Sequence, residues 1–191
     1  MLDRSVPYVE FYMERPEGLA LPSASARSDG FFVRTYRPGD EKHWAHIETA
    51  VGEFTEESAA LAYFAKEFAP QPELLHSRMC FVCAPDGTPV STCTAWEKHG
   101  RHLLHWVATL PTHQRKGLAR LAVVSALHRF PAGGGVILHT QTWSHAAVRL
   151  YKDLGFDLVR DPDTEKALAV LKTVYDAALY DAIFAGIRKN W

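Results

Sequence analysis

Three cations and a glycine lie close together in the stretch Val107-Ala-Thr-Leu-Pro-Thr-His-Gln-Arg-Lys-Gly-Leu-Ala-Arg120. Arg115, Lys116 and Arg120 surround Gly117, where an apolar strand passes through a loop into an apolar helix. These are the parts of an anion site. The first N–H groups of a helix have no intrahelical acceptor, and the helix dipole places positive potential at that end. A glycine lets an oxyanion reach the main chain. The spacing is not that of the phosphate loop that ends Gly-Lys-Ser/Thr. It also lacks the three glycines of a dinucleotide fingerprint. Two imidazoles sit on apolar strands, His105 and His139, and either could exchange a proton near neutral pH. For His139, alternation alone leaves open which face it takes. No Ser-His-Asp spacing or covalent nucleophile stands out.

The elements that must position these groups are read from pattern. Residues 1–30 are broken by Pro7, Pro16 and Pro22 and read as an irregular arm with an aromatic cluster, Tyr8, Phe11, Tyr12 and Met13. Ser23 to Gly30 reads as a linker. Phe31–Tyr36 is a strand, and Asp40 is placed to cap a helix that runs to about Val51 with Trp44, Ile47 and Val51 on one face. A second helix, capped by Thr55, shows Leu61, Phe64, Ala65 and Phe68 at helical spacing until the Pro-rich stretch 69–73 ends it. Met79–Ala84, Val90–Glu97 and His102–Leu110 form an antiparallel meander joined by turns at Asp86-Gly87 and His99-Gly100. Gly117 then opens a buried helix to about Phe130. Val136–Thr142 follows as a strand parallel to His102–Leu110, because a crossover helix joins them. Ser144 caps the next helix, in which Ala147, Leu150, Tyr151 and Leu154 share a face and Gly155 is the C′ residue. After a strand at Phe156–Val159, Asp161 opens one long helix to about Arg188.

The pattern Gln114-Arg115-Lys116-Gly117-Leu118-Ala119 resembles the cofactor loop of the GNAT superfamily of acyl-CoA-dependent N-acyltransferases, Gln/Arg-x-x-Gly-x-Gly/Ala. A second stretch, Ser144-His-Ala-Ala-Val-Arg-Leu-Tyr-Lys-Asp-Leu-Gly-Phe156, is similar to that family's Asn-x-x-Ala-x-x-Leu-Tyr-x-x-x-Gly-Phe. The element order over residues 31–159 also matches. The resemblance implies an α/β fold with a mixed sheet, in which an antiparallel meander leads into a splayed parallel strand pair flanked by helices, here with an added C-terminal helix. It implies three segments: an N-terminal arm at 1–30, the acetyltransferase domain at 31–159, and a helical extension at 160–191 packed on the same domain.

The implied activity is transfer of an acetyl group from acetyl-CoA directly to an amine, through a ternary complex, with a small molecule as the expected acceptor and a protein N-terminus or lysine left open. The alternative is a non-catalytic acyl-CoA sensor. Val107, Ala108 and Thr109 would supply main-chain contacts to the pantetheine arm. Gln114, Arg115, Lys116, Gly117, Leu118, Ala119 and Arg120 would wrap the pyrophosphate. Ser144 replaces the usual Asn, which removes one expected contact. Tyr151 stands at the family's general-acid position. His105 occupies the position of a catalytic His in some members, and His139 that of a catalytic Glu in others; Glu97 is a further candidate base. The acceptor cleft would draw on Trp44, His43, His46, Phe54, Tyr63 and Phe64, with negative charge from Glu53, Glu56 and Glu57. Where the family commonly ends in a seventh strand, this chain reads as helix.

Bulk properties set the limits. The chain has 191 residues, is 47% hydrophobic and carries a formal net charge of −1. That suits a folded protein without a nucleic-acid-coating surface. Nothing in the sequence reads as a membrane span or a signal peptide. Cys80, Cys83 and Cys93 have no second ligand pair at zinc spacing and read as buried thiols, which points to a reducing, cytoplasmic setting and no metal. The aromatic arm and the C-terminal helix are candidate homodimer surfaces.

Overall fold

The computed structural model describes residues 2–23 and 29–188; the proposed linker falls mostly outside them. The chain divides into two compact units: Ala20–Ala132, and Leu2–Leu19 together with Gly133–Trp191.

In the first unit, strands β2 (Phe32–Thr35), β3 (Met79–Cys83), β4 (Pro89–Lys98) and β5 (Arg101–Thr109) pair in order, all antiparallel. Helices α1 (Glu41–Val51), α2 (Glu57–Glu67) and α3 (Pro72–Arg78) precede β3, and α4 (Leu118–Leu127) follows β5. Every residue of β3, and the first eight of β4, are buried. Such runs belong to a sheet covered on both faces. Trp44, Ile47 and Val51 of α1, Ala60 and Phe64 of α2, and Phe68 pack in one cluster with Met79, Phe81 and Trp96. The buried stripe of α2 is thus Ala60-Phe64-Phe68, rotated from the expected one: Ala65 is exposed and Leu61 only half-buried. The Pro-rich stretch does end α2, but it also starts α3, with Pro72 in the first turn, where its missing N–H costs nothing.

Neither expected cap in this region forms. Thr55 lies outside α2, and Glu56 takes the cap position. Asp40 sits at the start of α1 without a capping bond. Its carboxylate instead accepts two bonds from the Arg34 guanidinium, at 2.5 and 2.8 Å, and one from the Arg37 N–H at 2.6 Å. Burial pushes the Asp40 carboxyl up, but Arg34 and the Arg37 N–H outweigh it and hold it below the usual carboxylate range.

In the second unit, β1 (Glu10–Arg15) lies between β6 (Val136–Gln141) and β7 (Asp157–Leu158), antiparallel to both. Residues 1–30 are therefore not an irregular arm throughout. Phe11, Met13 and Arg15 face inward, opposite Thr140, Leu138 and Val136, while Glu10 and Tyr12 face out. Tyr12, an aromatic on the outer face, blurs the alternation and makes the strand read as a cluster. Arg15 is 6% exposed and donates to the carbonyls of Leu154 at 3.0 Å and Leu19 at 3.3 Å. Leu154 ends α5 (His145–Asp153), so the buried guanidinium caps the helix at its negative end.

The predicted single C-terminal helix is two, α6 (Pro162–Val174) and α7 (Ala177–Arg188). Asp161 caps α6 as expected, accepting from the Asp163 and Thr164 N–H groups. The break falls where Tyr175 turns extended and its hydroxyl donates to the His145 carbonyl. Asp176 then caps α7 through the Leu179 N–H at 2.8 Å.

Two outcomes test this account. Met13 is fully buried, and Met13→Ala should cost about 3 kcal/mol in urea unfolding; a cost near zero would remove β1 from the core. Asp40 has a folded pKa below its unfolded value. Its stabilisation is present above about pH 4 and lost as pH falls further. Asp40→Asn should flatten that acid limb of stability, measured by unfolding between pH 6 and 2.

Candidate active site

The first part of the site is a bulge in β5. Thr92 pairs with Ala108 but Thr94 pairs with His105, so β5 carries an extra residue opposite Cys93. Trp106 takes it up with φ +51°, a left-handed conformation rare for a bulky side chain. A bulge re-aims side chains. Here it turns the consecutive residues His105 and Trp106 toward the same helices. Trp106 meets Trp44, Phe54 and Tyr63 with ring centroids 5.1–5.4 Å apart. His105 Nε2 lies 3.5 Å from the Tyr63 hydroxyl and 3.9 Å from Glu67 Oε1, with Phe68 against its ring. Burial pushes the Tyr63 phenol up, so it stays protonated at neutral pH.

The end of β5 is fixed from β4. Ser91 Oγ donates to the Ala108 carbonyl at 2.7 Å and also lies 2.7 Å from Thr109 Oγ1. Gln114 Nε2 donates to the Thr109 carbonyl at 3.1 Å. Gln114 thus braces the loop against the strand it leaves.

The loop after it is the candidate anion cradle. Arg115 (φ +63°) and Gly117 (φ +75°) are both left-handed, which folds the chain sharply into α4. Leu118 is 1% exposed and anchors the helix in the core. The N–H groups of Leu118, Ala119 and Arg120 open α4 and have no intrahelical acceptor. Arg115, Lys116, Gly117 and Arg120 are exposed beside them. Main-chain donors, the positive helix end and three solvent-facing cations fit a pyrophosphate. No part of the loop carries a carboxylate that would oppose one.

The other sequence-derived residues lie in the second unit. Tyr151 is 5% exposed on α5 and packs edge-on against Phe156. The buried face of this helix is Val148 and Tyr151, followed by Leu154; Ala147 and Leu150 are only half-buried. The helix closes with Gly155 N–H on the Lys152 carbonyl and Phe156 N–H on the Tyr151 carbonyl, Gly155 having φ +87°. That is the double-bonded glycine cap expected for the Gly-Phe pair.

Ser144 stands at the start of α5 but makes no capping bond. Its turn is held instead by the N-terminal segment. Thr142 exchanges bonds with Val9, Trp143 Nε1 donates to the Val6 carbonyl at 2.9 Å, and His145 meets Asp3 at 3.1 Å. His139 lies on the outer face of β6, 42% exposed, against Tyr12 and 3.5 Å from Glu10.

Several expected wall residues do other work. Trp44 and Phe64 are core, at 0% and 4% exposure. His46 pairs with Glu57 at the surface, and Glu97 pairs with Arg78 at 2.6 Å. A charged residue that sequence reading did not single out, Glu67, stands beside His105. It lies four residues after Tyr63 on α2, one helical turn away on the same face. No group of three or more His, Cys, Asp or Glu placed to hold a metal occurs among the described residues. No helix among them is long and apolar enough to cross a membrane.

Comparison with known proteins places the chain in a family. The model of the acetyltransferase (GNAT) family matches residues 32–156, and the chain belongs to that family. The mixed α/β architecture is that of the GNAT fold. A GCN5-related N-acetyltransferase from Sphaerobacter thermophilus is similar in structure, with TM-score 0.63 and 23% identity over 82% of this chain and 50% of that one. One from Kribbella flavida gives TM-score 0.52 and 22% identity over 78% and 54%. A GNAT-family acetyltransferase from Colwellia psychrerythraea gives 0.59 and 10% over 83% and 55%. The chain thus spans about half the length of these structures. No curated protein matches its sequence.

Gly117 is the position most exposed to test. A Cβ in the left-handed region costs about 1 kcal/mol, so Gly117→Ala should lower unfolding stability by that amount; an unchanged midpoint would contradict the observed φ.

Proposed function

We propose that the protein is an N-acetyltransferase that moves an acetyl group from acetyl-CoA directly to the amine of a small molecule. The observation that carries this reading is the cradle from Gln114 to Arg120, with left-handed Arg115 and Gly117 opening the buried helix α4, in a chain of the GNAT family. Acetyl-CoA held there would supply a thioester: the ammonium first gives one proton to a base, which passes it to solvent, the new N–C bond then forms as the C–S bond breaks, and the loss of a second nitrogen proton balances the one taken up by the departing thiolate.

The chain's residues then have distinct tasks. The N–H groups of Leu118 to Arg120 bind pyrophosphate oxygens, with Arg115, Lys116 and Arg120 adding charge. The backbone of Val107 to Thr109 orients the pantetheine arm. His105 removes the acceptor's proton. Its Nε2 already faces Tyr63 and Glu67, whereas His139 is paired with Glu10 on an outer sheet face. An unprotonated imidazole is a suitable acceptor for an ammonium proton once the amine is desolvated. Tyr151 keeps the proton-donor role that family resemblance gives it; a phenol is neutral at pH 7 and can donate. Ser144 lends its turn main-chain contact in place of the missing amide.

Acetyl-CoA binding should be measured by calorimetry on the native protein and on Gly117→Glu, whose carboxylate would block and repel the pyrophosphate. Binding should weaken at least about 100-fold in the variant, the loss expected when several charge-assisted bonds are broken. Thiol release with an amine panel should fall about 100-fold or more in His105→Asn and Tyr151→Phe, the usual contribution of a positioned acid or base. Native protein that fails to bind acetyl-CoA overturns the reading. Binding with thiol release insensitive to both variants overturns the assigned proton route.

A further inference from the structure

Beside the β5 bulge, the first unit presents an aromatic rim. Phe54, Tyr63 and Trp106 are mutually in contact, with centroids 5.1–5.7 Å apart, and all three are only half-buried. Phe54 and Trp106 are stacked at 27°, while Tyr63 meets Trp106 edge-on at 72°. Trp44 beneath them is fully buried, so the open surface belongs to the three rim rings. At one end of this rim stand His105 and the Glu67 carboxylate, each about one-fifth exposed. Thr94, directly across the ladder from His105, is buried with a hydroxyl that has no protein hydrogen-bond partner.

We propose that the acceptor is a primary amine carried on an apolar, ring-bearing body, its ammonium held by Glu67 and His105 and its body laid on Phe54, Tyr63 and Trp106. This rests on the acetyltransferase reading above and names the substrate class for that site. The chemistry of the rim selects this class. Aromatic faces bind a flat apolar body by stacking and attract an adjacent cation. One carboxylate beside one imidazole matches one ammonium. Lys98 reaches the same carboxylate at 3.4 Å but is 47% exposed, and such a screened pairing is weak enough for an incoming ammonium to replace.

Other amines fit less well. A polyamine needs a second carboxylate at a distance along the rim; Glu97 is already paired with Arg78, and Glu53 and Glu56 beside Phe54 are solvent-exposed, where a screened carboxylate holds an ammonium only weakly. An amino sugar needs several donors and acceptors for its hydroxyls, and the rim offers mainly carbon. An amine that also carries a carboxylate would meet Glu67 as a like charge.

The test compares 2-phenylethylamine, spermidine and glucosamine in thiol release with acetyl-CoA, and measures 2-phenylethylamine binding by calorimetry with coenzyme A present. The variants are Phe54→Ala, Phe54→Leu and Glu67→Gln, each checked for an unchanged acetyl-CoA Kd and far-ultraviolet dichroism. Kcat/KM for 2-phenylethylamine should exceed that for the other two by at least about tenfold, the discrimination a shaped apolar pocket supplies. Phe54→Ala and Glu67→Gln should each raise its KM about tenfold, with Phe54→Leu between Phe54→Ala and native. Preference for spermidine or glucosamine, or an equal effect of Phe54→Ala on all three amines, overturns the assignment. Acetyl-CoA binding without binding or turnover of 2-phenylethylamine also overturns it while leaving the cofactor site intact. Absence of acetyl-CoA binding overturns the acetyltransferase reading, and this assignment with it.

Discussion

The extra residue in β5 is the constraint on which the candidate chemistry depends. A regular strand would send His105 and Trp106 to opposite faces of the sheet. With Trp106 held at φ +51°, both turn toward α1 and α2. A bulky residue in that conformation is strained, and it persists only where its surroundings over-determine it. Trp44, Phe54 and Tyr63 supply that surrounding on one side. On the strand itself, Ser91 fixes the main chain two residues further on, at Ala108.

The same strand leads directly into the loop from Gln114 to Gly117 and the start of α4, so the two parts share one mechanical base. Ser91 and Gln114 brace Ala108 and Thr109, and Leu118 sinks the start of α4 into the core. What remains exposed at the turn is main-chain N–H and three cations. The division of labour is physical: apolar groups fix position, while polar groups at the rim stay available to a ligand. In the second unit β1 has a comparable role. Arg15 closes the C-terminal end of α5, and the segment from Asp3 to Val9 secures the turn that contains Ser144. Both ends of the helix carrying Tyr151 are thereby fastened by the first fifteen residues.

Errors in the sequence reading have identifiable causes. Asp40 has the composition of a helix cap, but Arg34 offers its carboxylate a second charge and a bidentate geometry, which a lone N–H group cannot match. The Pro-rich stretch after Phe68 does end α2 as read; what the reading lacked is α3, which Pro72 opens from its first turn. The C-terminal periodicity runs on through Tyr175, and only the distant His145 carbonyl accounts for the break there. A charged partner six residues upstream decided the first case, the position within a helix the second, and a carbonyl 30 residues upstream the third.

The residues alone determined a great deal. The glycine and basic loop before an apolar helix located the start of α4 and its exposed cations, because a left-handed glycine and an apolar helical run are short-range properties. The turn dipeptides defined the meander, and Gly155-Phe156 defined the closing cap of α5, because left-handed backbone and local hydrogen bonds are short-range properties. Tertiary structure decided the rest. It placed β1 between β6 and β7, where outward Tyr12 had hidden the alternation. It inserted the bulge that aims His105 and Trp106 together, and it brought Glu67 at the end of α2 to face His105 on β5. A bulge is a mismatch between two strands, and a helix-to-strand contact joins residues nearly forty positions apart; neither is a property of any local window of sequence.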